Sequence, residues 1–466
     1  MRFSIRVACL FLIVAGGNGA AAEPACELQC QVEVEEEVYT YQPADNGAGP
    51  MWCFGNTSIV RVGDDVFASR LATIAERKPL NNCAASLLRR TDAGWSEVHR
   101  APGLTREPSP LVAIGKERVF LSVNPTLTAV DTYSGPAQPG VLEFSLAALD
   151  EPPRELAPTW EGQPEFREHS YRSFVADGEN GELLLLQNIG YTHAEWSYCD
   201  REGNWSAYGK LKWPWGGDYA EPKPIRVCYP AVALKDRQVF FCGVSDIVEP
   251  NPAWRSYKKE LTGREWDYDF RRLFFCWSDD IATGVFHDWV EVSSREATAG
   301  WISPNDLYVA PNGDVLVLWS EKALDERLRE KYFPEAKQRH SLECAVLRNG
   351  RVVRQSTLAE GGDELGGLSP GRGRFHVAEN GQLCVIYYVG GTDEKGQALA
   401  ENRIVALGLD GEVGEAISVA LEQPLSSFFT ATVRAGCQPS DTLDLLGSVG
   451  TSMRYARIRL AVSSQR

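Results

Sequence analysis

Histidines are scarce in this chain, and two of the six lie in one short segment. The segment EHSYRSFVADGENGELLLLQNIGYTH holds His169 near its start and His193 at its end. Tyr229 follows further along, with Arg226 three residues before it. Imidazole and phenol groups accept and donate protons, and a guanidinium neutralises a carboxylate. We therefore predict proton-transfer chemistry beside an anionic group, with His169, His193 and Tyr229 as catalytic residues.

Tyrosine is a weak base at its ordinary pKa of about 10, and a neighbouring cation lowers that pKa. We expect Arg226 to act on Tyr229 in this way. The structural alternative for the whole group is a hydrogen-bonded cluster that ties neighbouring parts of the fold together.

A repeated two-strand pattern must position these residues. The pattern is an apolar strand, a turn with Gly or Asp, and a second, more hydrophobic strand, with copies that begin at Ile59, Leu111, Ser173, Ala231, Leu307, Phe375 and Ala431. The spacing of about 50 to 80 residues suits propeller blades that carry loop insertions. We predict an all-β fold, a seven-bladed β-propeller over residues 55–466, with an N-terminal extension over residues 23–54.

In a propeller, the points where first strands begin and second strands end converge on one face. Here they bring together Asn56, Arg70, Glu107, Asn124, His169, His193, Tyr229, Asp246, Asn305, Glu321 and Arg374. From this face and its insertions we predict a substrate-binding set of Arg172, Asn188, Arg226, Glu265, Arg271 and Arg374.

Two insertions deepen the same face, at residues 249–272 and 321–340. The second has helical spacing of Leu324, Leu328 and Tyr332, and Pro334 is expected to end the helix. The aromatic residues of the first insertion, Trp254, Trp266 and Tyr268, offer stacking surfaces for sugar rings; packing of the insertion onto the propeller is the alternative.

The segment with His169, Asn188 and His193 resembles a blade of the propeller-fold polysaccharide lyases that cut ulvan and rhamnose-glucuronate linkages. The next blade, RVCYPAVALKDRQVFF, is similar to the Tyr-Pro strand opening of that family and places Tyr229 at the catalytic tyrosine. The segments YCDREGNW and WSDDIATGVFHDW resemble degenerate Asp-boxes of the wider sialidase-like BNR propellers. Both resemblances imply a carbohydrate-active propeller, and the resemblance to the lyases implies cleavage of a uronate-containing glycan by β-elimination.

The chain departs from the lyases at one position. About sixteen residues after the tyrosine the family carries an arginine that neutralises the uronate, and this chain has Gly243, Val244 and Ser245 there. Arg226, Arg172 and Arg271 are the candidates to replace it. Two other functions stay open: a sialidase-like glycoside hydrolase that uses paired carboxylates, and a non-catalytic propeller that binds glycan or protein.

Composition and the first residues predict a secreted or periplasmic protein. Arg2 and Arg6 precede an apolar run and a small-residue stretch, which indicates a signal peptide over residues 1–22. No later segment is long and apolar enough for a membrane helix, and the net charge of −16 argues against a nucleic-acid partner. We therefore expect an anionic or neutral polysaccharide as the partner.

Eleven cysteines remain after Cys9 is removed with the signal peptide. Cys26 or Cys30 is a candidate for a bridge to Cys53 or Cys83, and Cys242, Cys276 and Cys384 are predicted to be buried. No cofactor is predicted, and His169 and His193 without a third ligand are weak evidence for a metal site.

Overall fold

The computed structural model describes residues 27–78, 80–393 and 395–463. Within them, seven four-stranded antiparallel sheets surround a central axis, and two short hairpins accompany the fourth sheet. The predicted all-β, seven-bladed β-propeller is confirmed. The predicted signal peptide lies outside the described residues, as does Cys26.

The strands of the first three blades follow one another outward from the axis. Blade 1 comprises Ile59–Val62, Asp65–Thr73, Cys83–Thr91 and Gly94–Arg100; blade 2 comprises Leu111–Ile114, Arg118–Val123, Gly140–Ser145 and Arg154–Leu156; blade 3 comprises Ser173–Asp177, Glu182–Ile189, His193–Cys199 and Trp205–Lys212. A hairpin of Trp215–Gly216 and Lys223–Pro224 leads to blade 4.

Blades 4 to 6 have the same order of strands. Blade 4 comprises Val227–Lys235, Gln238–Ser245, Arg272–Ser278 and Val290–Ser294, with a hairpin of Ile247–Val248 and Tyr268–Asp269 between its second and third strands; blade 5 comprises Trp301–Val309, Val315–Lys322, Arg339–Arg348 and Arg351–Gly362; blade 6 comprises Gly367–Val377, Leu383–Thr392, Ala398–Leu407 and Val413–Val419. Short 3-10 turns lie at Leu146–Ala148, Ile281–Thr283 and Glu296–Thr298.

Blade 7 closes the ring with strands from both ends of the described chain. From the axis outward it comprises Phe428–Thr430, Thr442–Val449, Ser452–Ser463 and Glu27–Thr40. Residues that the sequence analysis places in an N-terminal extension thus form the outermost strand, antiparallel to Ser452–Ser463. The first strand ends at Thr430, one residue before the predicted start of the seventh copy.

Apolar side chains fill the space between neighbouring blades. Val60 and Phe67 of blade 1, for example, belong to the same buried cluster as Leu111 and Phe120 of blade 2. Cys242, Cys276 and Cys384 are buried in such clusters, as predicted. Cys30, Cys53 and Cys83 are free thiols, so the bridge considered for Cys30 is not formed.

Both insertions contain a helix and leave the propeller after second strands. Helix α1 spans Pro252–Thr262; Asn251 caps its first turn by accepting hydrogen bonds from Ala253 and Trp254, and Gly263 ends it in the left-handed region. Helix α2 spans Glu326–Tyr332 and ends shortly before Pro334, as predicted. Neither these helices nor any other helix in the described ranges has the length and apolar character needed to cross a bilayer.

The loop between the first two strands of blade 7 enters the central channel. The Arg434 guanidinium there donates hydrogen bonds to Asp306 at 2.8 Å, to the Val232 carbonyl at 2.9 Å and to the Gly55 carbonyl at 3.0 Å. Its neighbour Ala435 accepts a hydrogen bond from the backbone of Ala113 at 2.7 Å. One buried arginine therefore connects the inner edges of several blades.

Replacing Arg434 by methionine is expected to lower the free energy of unfolding by about 3 kcal/mol, because Asp306 would keep a buried charge without its partner. Urea unfolding followed by tryptophan fluorescence measures this difference. Arg351→Met, at the exposed start of the fourth strand of blade 5, is the matched control and should change stability by less than about 0.5 kcal/mol. Equal stability of the two variants would contradict the structural role of Arg434.

Candidate functional site

Three first strands are interrupted at the end where they enter the propeller. Tyr229 and Pro230 form a bulge in blade 4, Asn305 forms one in blade 5, and Gly371 and Arg372 form one in blade 6. A proline lies in or beside each bulge: Pro230, Pro304 and Pro370. Proline cannot donate to the strand ladder, and a bulge changes the direction of its side chains. We call this side of the propeller the entry face.

An aromatic platform, made of Trp52, Phe54, Tyr171, Tyr229 and Phe270, covers the centre of the entry face. Phe54 stacks on Tyr229 with ring centroids 5.1 Å apart, and Phe270 lies 5.9 Å from Tyr229 on another side. Trp52 and Tyr171 meet the same tyrosine edge-on at 5.4 and 5.1 Å. Tyr229 is therefore the ring that joins the platform.

The backbone beneath the platform is strained. Cys53, Tyr171 and Tyr229 have φ angles of 55°, 46° and 51°, in the left-handed region that non-glycine residues rarely adopt. Tyr229 also precedes a proline, which normally favours an extended conformation. Strain of this kind is found most often at functional sites, where the surrounding packing maintains it. Here Gly55 packs so closely on the Pro230 carbonyl that a Cβ would lie 2.0 Å from that oxygen.

His169 lies at the edge of the platform and is oriented by a buried glutamate. Its Nδ1 is 2.9 Å from Oε1 of Glu107, and its ring centroid is 4.6 Å from that of Tyr171. Ser170 donates to the same carboxylate from its backbone N–H at 2.9 Å and its hydroxyl at 2.7 Å. Burial acts to raise the pKa of Glu107, but the hydrogen bond and charge of His169, with the charge of Arg172, outweigh it and lower this pKa.

An ionised Glu107 requires the imidazole proton on Nδ1 of His169. In the neutral ring, Nε2 then carries the lone pair and can accept a proton. The His169 side chain is 30% exposed, so a ligand on the entry face can reach it. The Glu107–His169 pair thus has the arrangement of a general base and its positioning carboxylate.

Tyr229, unlike His169, is not suited to accept a proton. Burial raises the pKa of Tyr229 above its ordinary value, so the phenol keeps its proton at neutral pH. The expectation that Arg226 lowers this pKa is wrong. The Arg226 guanidinium instead lies 3.9 Å from the ring centroid of Tyr191 and donates to Asp246 at 2.7 Å. A phenol with a raised pKa is a poor base, and it keeps a proton that it can donate to a ligand.

Arg372 provides a cation beside Tyr229. From the sequence it is expected, with Arg374, to reach the pocket from the Gly-rich segment 361–374, but only Arg374 is in the predicted binding set. The Arg372 guanidinium lies 3.3 Å from the ring centroid of Phe54 and donates to Ser303 at 3.1 Å. Within the described ranges, no carboxylate forms an ion pair with it; burial and the charge of Arg374 lower its pKa to about 9. The available signal was Pro370, which predicts a bulge in an otherwise regular strand.

The two predicted catalytic histidines do not meet. His193 begins the third strand of blade 3, where it contacts Glu195 at 3.1 Å and Thr192 at 2.7 Å. Two strand spacings, about 10 Å, separate that strand from the first strand of the blade. No cluster of three or more His, Cys, Asp or Glu side chains in the described ranges is arranged to hold a metal. Catalysis by His193 stays a prediction.

Arg172, Asn188 and Arg374 are buried within the propeller. Arg172 donates to the carbonyls of Ser122 and Pro108 at 3.1 and 3.0 Å, and Asn188 donates to the Val227 carbonyl at 3.2 Å. Arg374 donates to the carbonyls of Asn305, Phe428 and Phe54. The contacts of these three side chains are structural, and their predicted binding of substrate stays untested.

The other predicted binding residues belong to ion pairs on the insertion side. Arg271 is buried between Glu249, at 2.7 Å, and Asp269, at 3.0 Å. Glu265 is exposed and pairs with Lys259 of helix α1. Substrate binding by these residues also stays a prediction. Of the predicted residues, the structure brings His169 and Tyr229 to the platform and places Arg226 beside it.

Comparison with known proteins finds no matching family model and no matching curated protein. Among solved structures, the GH93 α-L-arabinofuranosidase of Fusarium graminearum with arabinobiose is 10% identical, with a TM-score of 0.41 over 92% of this chain and 97% of that chain. An α-L-arabinanase of Penicillium chrysogenum complexed with arabinobiose is 9% identical, with a TM-score of 0.41 over 92% and 98%. The N11 neuraminidase-like protein of A/flat-faced bat/Peru/033/2010 (H18N11) is 8% identical, with a TM-score of 0.35 over 84% and 96%. Similarity at this level assigns no activity to this chain.

Glu107→Gln is expected to destabilise the protein at neutral pH, because a neutral amide replaces the carboxylate that binds His169 and Ser170. The folded-state pKa of Glu107 is lowered, so its stabilising contribution is present above the ordinary glutamate pKa of about 4.3 and is lost as the pH falls below it. Urea unfolding of both proteins across acidic and neutral pH measures the difference, which should narrow in acid. A difference that does not change with pH would contradict the ionised pair.

Proposed function

We propose that the entry face is the active site of a secreted or periplasmic enzyme that cleaves a uronate-containing polysaccharide by β-elimination. The observation that carries the proposal is the meeting of a general base, a proton donor and an unpaired cation around one aromatic platform. These groups are His169 with Glu107, Tyr229, and Arg372.

The three groups supply what elimination requires. Arg372 binds the uronate carboxylate and stabilises the negative charge that develops when the neighbouring C5–H bond breaks. His169 accepts the C5 proton on Nε2. The electron pair forms the C4–C5 double bond as the C4–O bond breaks, and Tyr229 donates its proton to the leaving oxygen. The products are a chain with an unsaturated uronate end and a chain with a new hydroxyl group.

The platform geometry supports this assignment of roles. Trp52 contacts both His169 and Tyr229, with ring centroids at 5.6 and 5.4 Å, so the base and the donor flank one indole. Phe54 lies between Arg372 and Tyr229 and contacts both. Aromatic rings bind the apolar faces of sugars, which suits a ligand that crosses this surface.

The carboxylates of the entry face support elimination over hydrolysis. A glycoside hydrolase of the usual kind needs two carboxyl groups that face the scissile bond. Here Glu107 is bound by His169 and Ser170, and Asp246 by Arg226. Glu168 accepts from the Gly135 backbone and lies 3.7 Å from Arg106. Each of these acids already has a partner.

The test is the ultraviolet absorbance of the unsaturated uronate when the mature protein is mixed with uronate polysaccharides. We expect the absorbance to rise with the wild-type protein. His169→Ala should lower the rate by about 10²- to 10⁴-fold, since it removes the general base, and Tyr229→Phe should act similarly. Arg372→Gln should also abolish the rise, because the carboxylate loses its cation.

His287→Ala is the matched control, since this histidine is exposed on the outer side of blade 4. Its rate should equal that of the wild type. New reducing ends without unsaturated product would assign hydrolysis instead. Tight binding of a glycan without either product would assign a binding propeller and contradict the catalytic proposal.

A further inference from the structure

A cavity opens beside the aromatic platform, between the two insertions. Its volume is about 320 Å³. Its walls include three aromatic residues, Tyr268, Phe270 and Trp301, and the basic residues Lys258, Arg271, Lys322, Arg327 and His340. The cavity therefore combines surfaces for a sugar ring with groups that attract an anion.

The cavity is continuous with the aromatic platform. Phe270 lines the cavity, and its ring centroid lies 5.9 Å from that of Tyr229. Tyr268, also in the cavity wall, lies 6.4 Å from Phe270 and shares a 3.1 Å hydroxyl contact with Tyr191. A chain bound across the platform therefore reaches the cavity without leaving the aromatic surface.

The acidic side chains of the cavity are already paired. Asp325 lies 3.3 Å from Lys258 of helix α1 and also pairs with Arg327. Asp269 pairs with Arg271 at 3.0 Å. Glu326 accepts a hydrogen bond from Gln338 at 2.8 Å and forms an ion pair with Arg329 at 3.5 Å. The carboxylates of this cavity are thus neutralised by partners other than Lys322.

Among the described residues that line the cavity, Lys322 is the cation that lacks a carboxylate partner. In the part of the chain that the structure describes, no carboxylate pairs with it, and its Nζ lies 5.8 Å from the ring centroid of Trp301. Burial, together with the positive charge of Lys322, lowers the pKa of the neighbouring His340. An anionic ligand would supply the charge that this cavity lacks.

Lys322 and Arg372 both contact the first strand of blade 5. Lys322 is the antiparallel partner of Trp301, and Arg372 donates a hydrogen bond to the hydroxyl of Ser303, two residues further along. Two residues of a strand span roughly 6.7 Å. Lys322 and Arg372 are therefore arranged to contact acidic groups on different units of one extended ligand.

We propose that the cavity is a second anion-binding subsite, in which Lys322 and Trp301 recognise an acidic group on another sugar of the chain cleaved at the platform. The inference rests on the proposed function and narrows its substrate class to polyanionic glycans with acidic groups on more than one residue. The subsite sets affinity for the polymer, and the platform performs the chemistry.

The test is calorimetric binding of polygalacturonate, alginate and hyaluronan to full-length protein that carries His169→Ala, so that the glycan is not consumed. Adding Lys322→Gln should weaken polymer binding about tenfold, through loss of a charge-assisted contact. Trp301→Ala should also weaken it. Lys116→Gln, at an exposed turn on the opposite face, is the matched control and should leave the affinity unchanged.

Free galacturonate separates this inference from the proposed function. Its binding should be lost with Arg372→Gln and retained with Lys322→Gln, because one uronate occupies only the platform. Polymer binding that is unchanged in Lys322→Gln but lost in Arg372→Gln would overturn the second subsite and leave the proposed function intact. Absence of binding of every uronate ligand to the parent protein would overturn both.

Discussion

The inner edge of each blade presents unpaired backbone N–H and C=O groups to the central channel, and their need for partners shapes this molecule. A buried polar group without a hydrogen bond costs about 1–3 kcal/mol, and seven strand edges meet at the axis. The chain satisfies them with polar side chains. Asn56 accepts from the Phe174 backbone at 3.0 Å, and Asp306 accepts from the Phe375 backbone at 2.9 Å. Arg434 completes the set.

The same requirement explains why the entry face carries polar and aromatic side chains that point out of the sheets. Where a first strand carries a proline, the ladder is interrupted and the bulge directs side chains out of the sheet. Tyr229 and Arg372 come from such bulges, and Trp52 and Phe54 come from the segment that crosses the axis before blade 1. The inner edges below the platform maintain the strained backbone of Cys53, Tyr171 and Tyr229. The hydrogen-bonded inner edges at the axis therefore support the strained backbone of the entry face.

Ion pairs hold the walls of the entry face in place. Lys258 of helix α1 is nearly fully buried and lies within 3.3 Å of carboxylate oxygens of Glu249, Asp267 and Asp325. Asp325 also caps helix α2, so this lysine joins the two insertions. Buried ions persist when they are paired and hydrogen-bonded, as Lys258 is here. Arg372 and Lys322 are conspicuous because both face the proposed ligand surface.

Strand alternation and turn residues act over short distances, so the blade pattern, the position of both insertions and the end of helix α2 could be predicted from the sequence. It also identified His169 and Tyr229 as neighbours on one face. It did not reveal that Glu27–Thr40 completes blade 7, since that pairing joins segments more than 400 residues apart. Tertiary structure alone decided that Arg172 and Arg374 serve buried carbonyls while Arg372 faces the platform. A guanidinium has the same sequence signature in either role, and only the distances to its partners distinguish them.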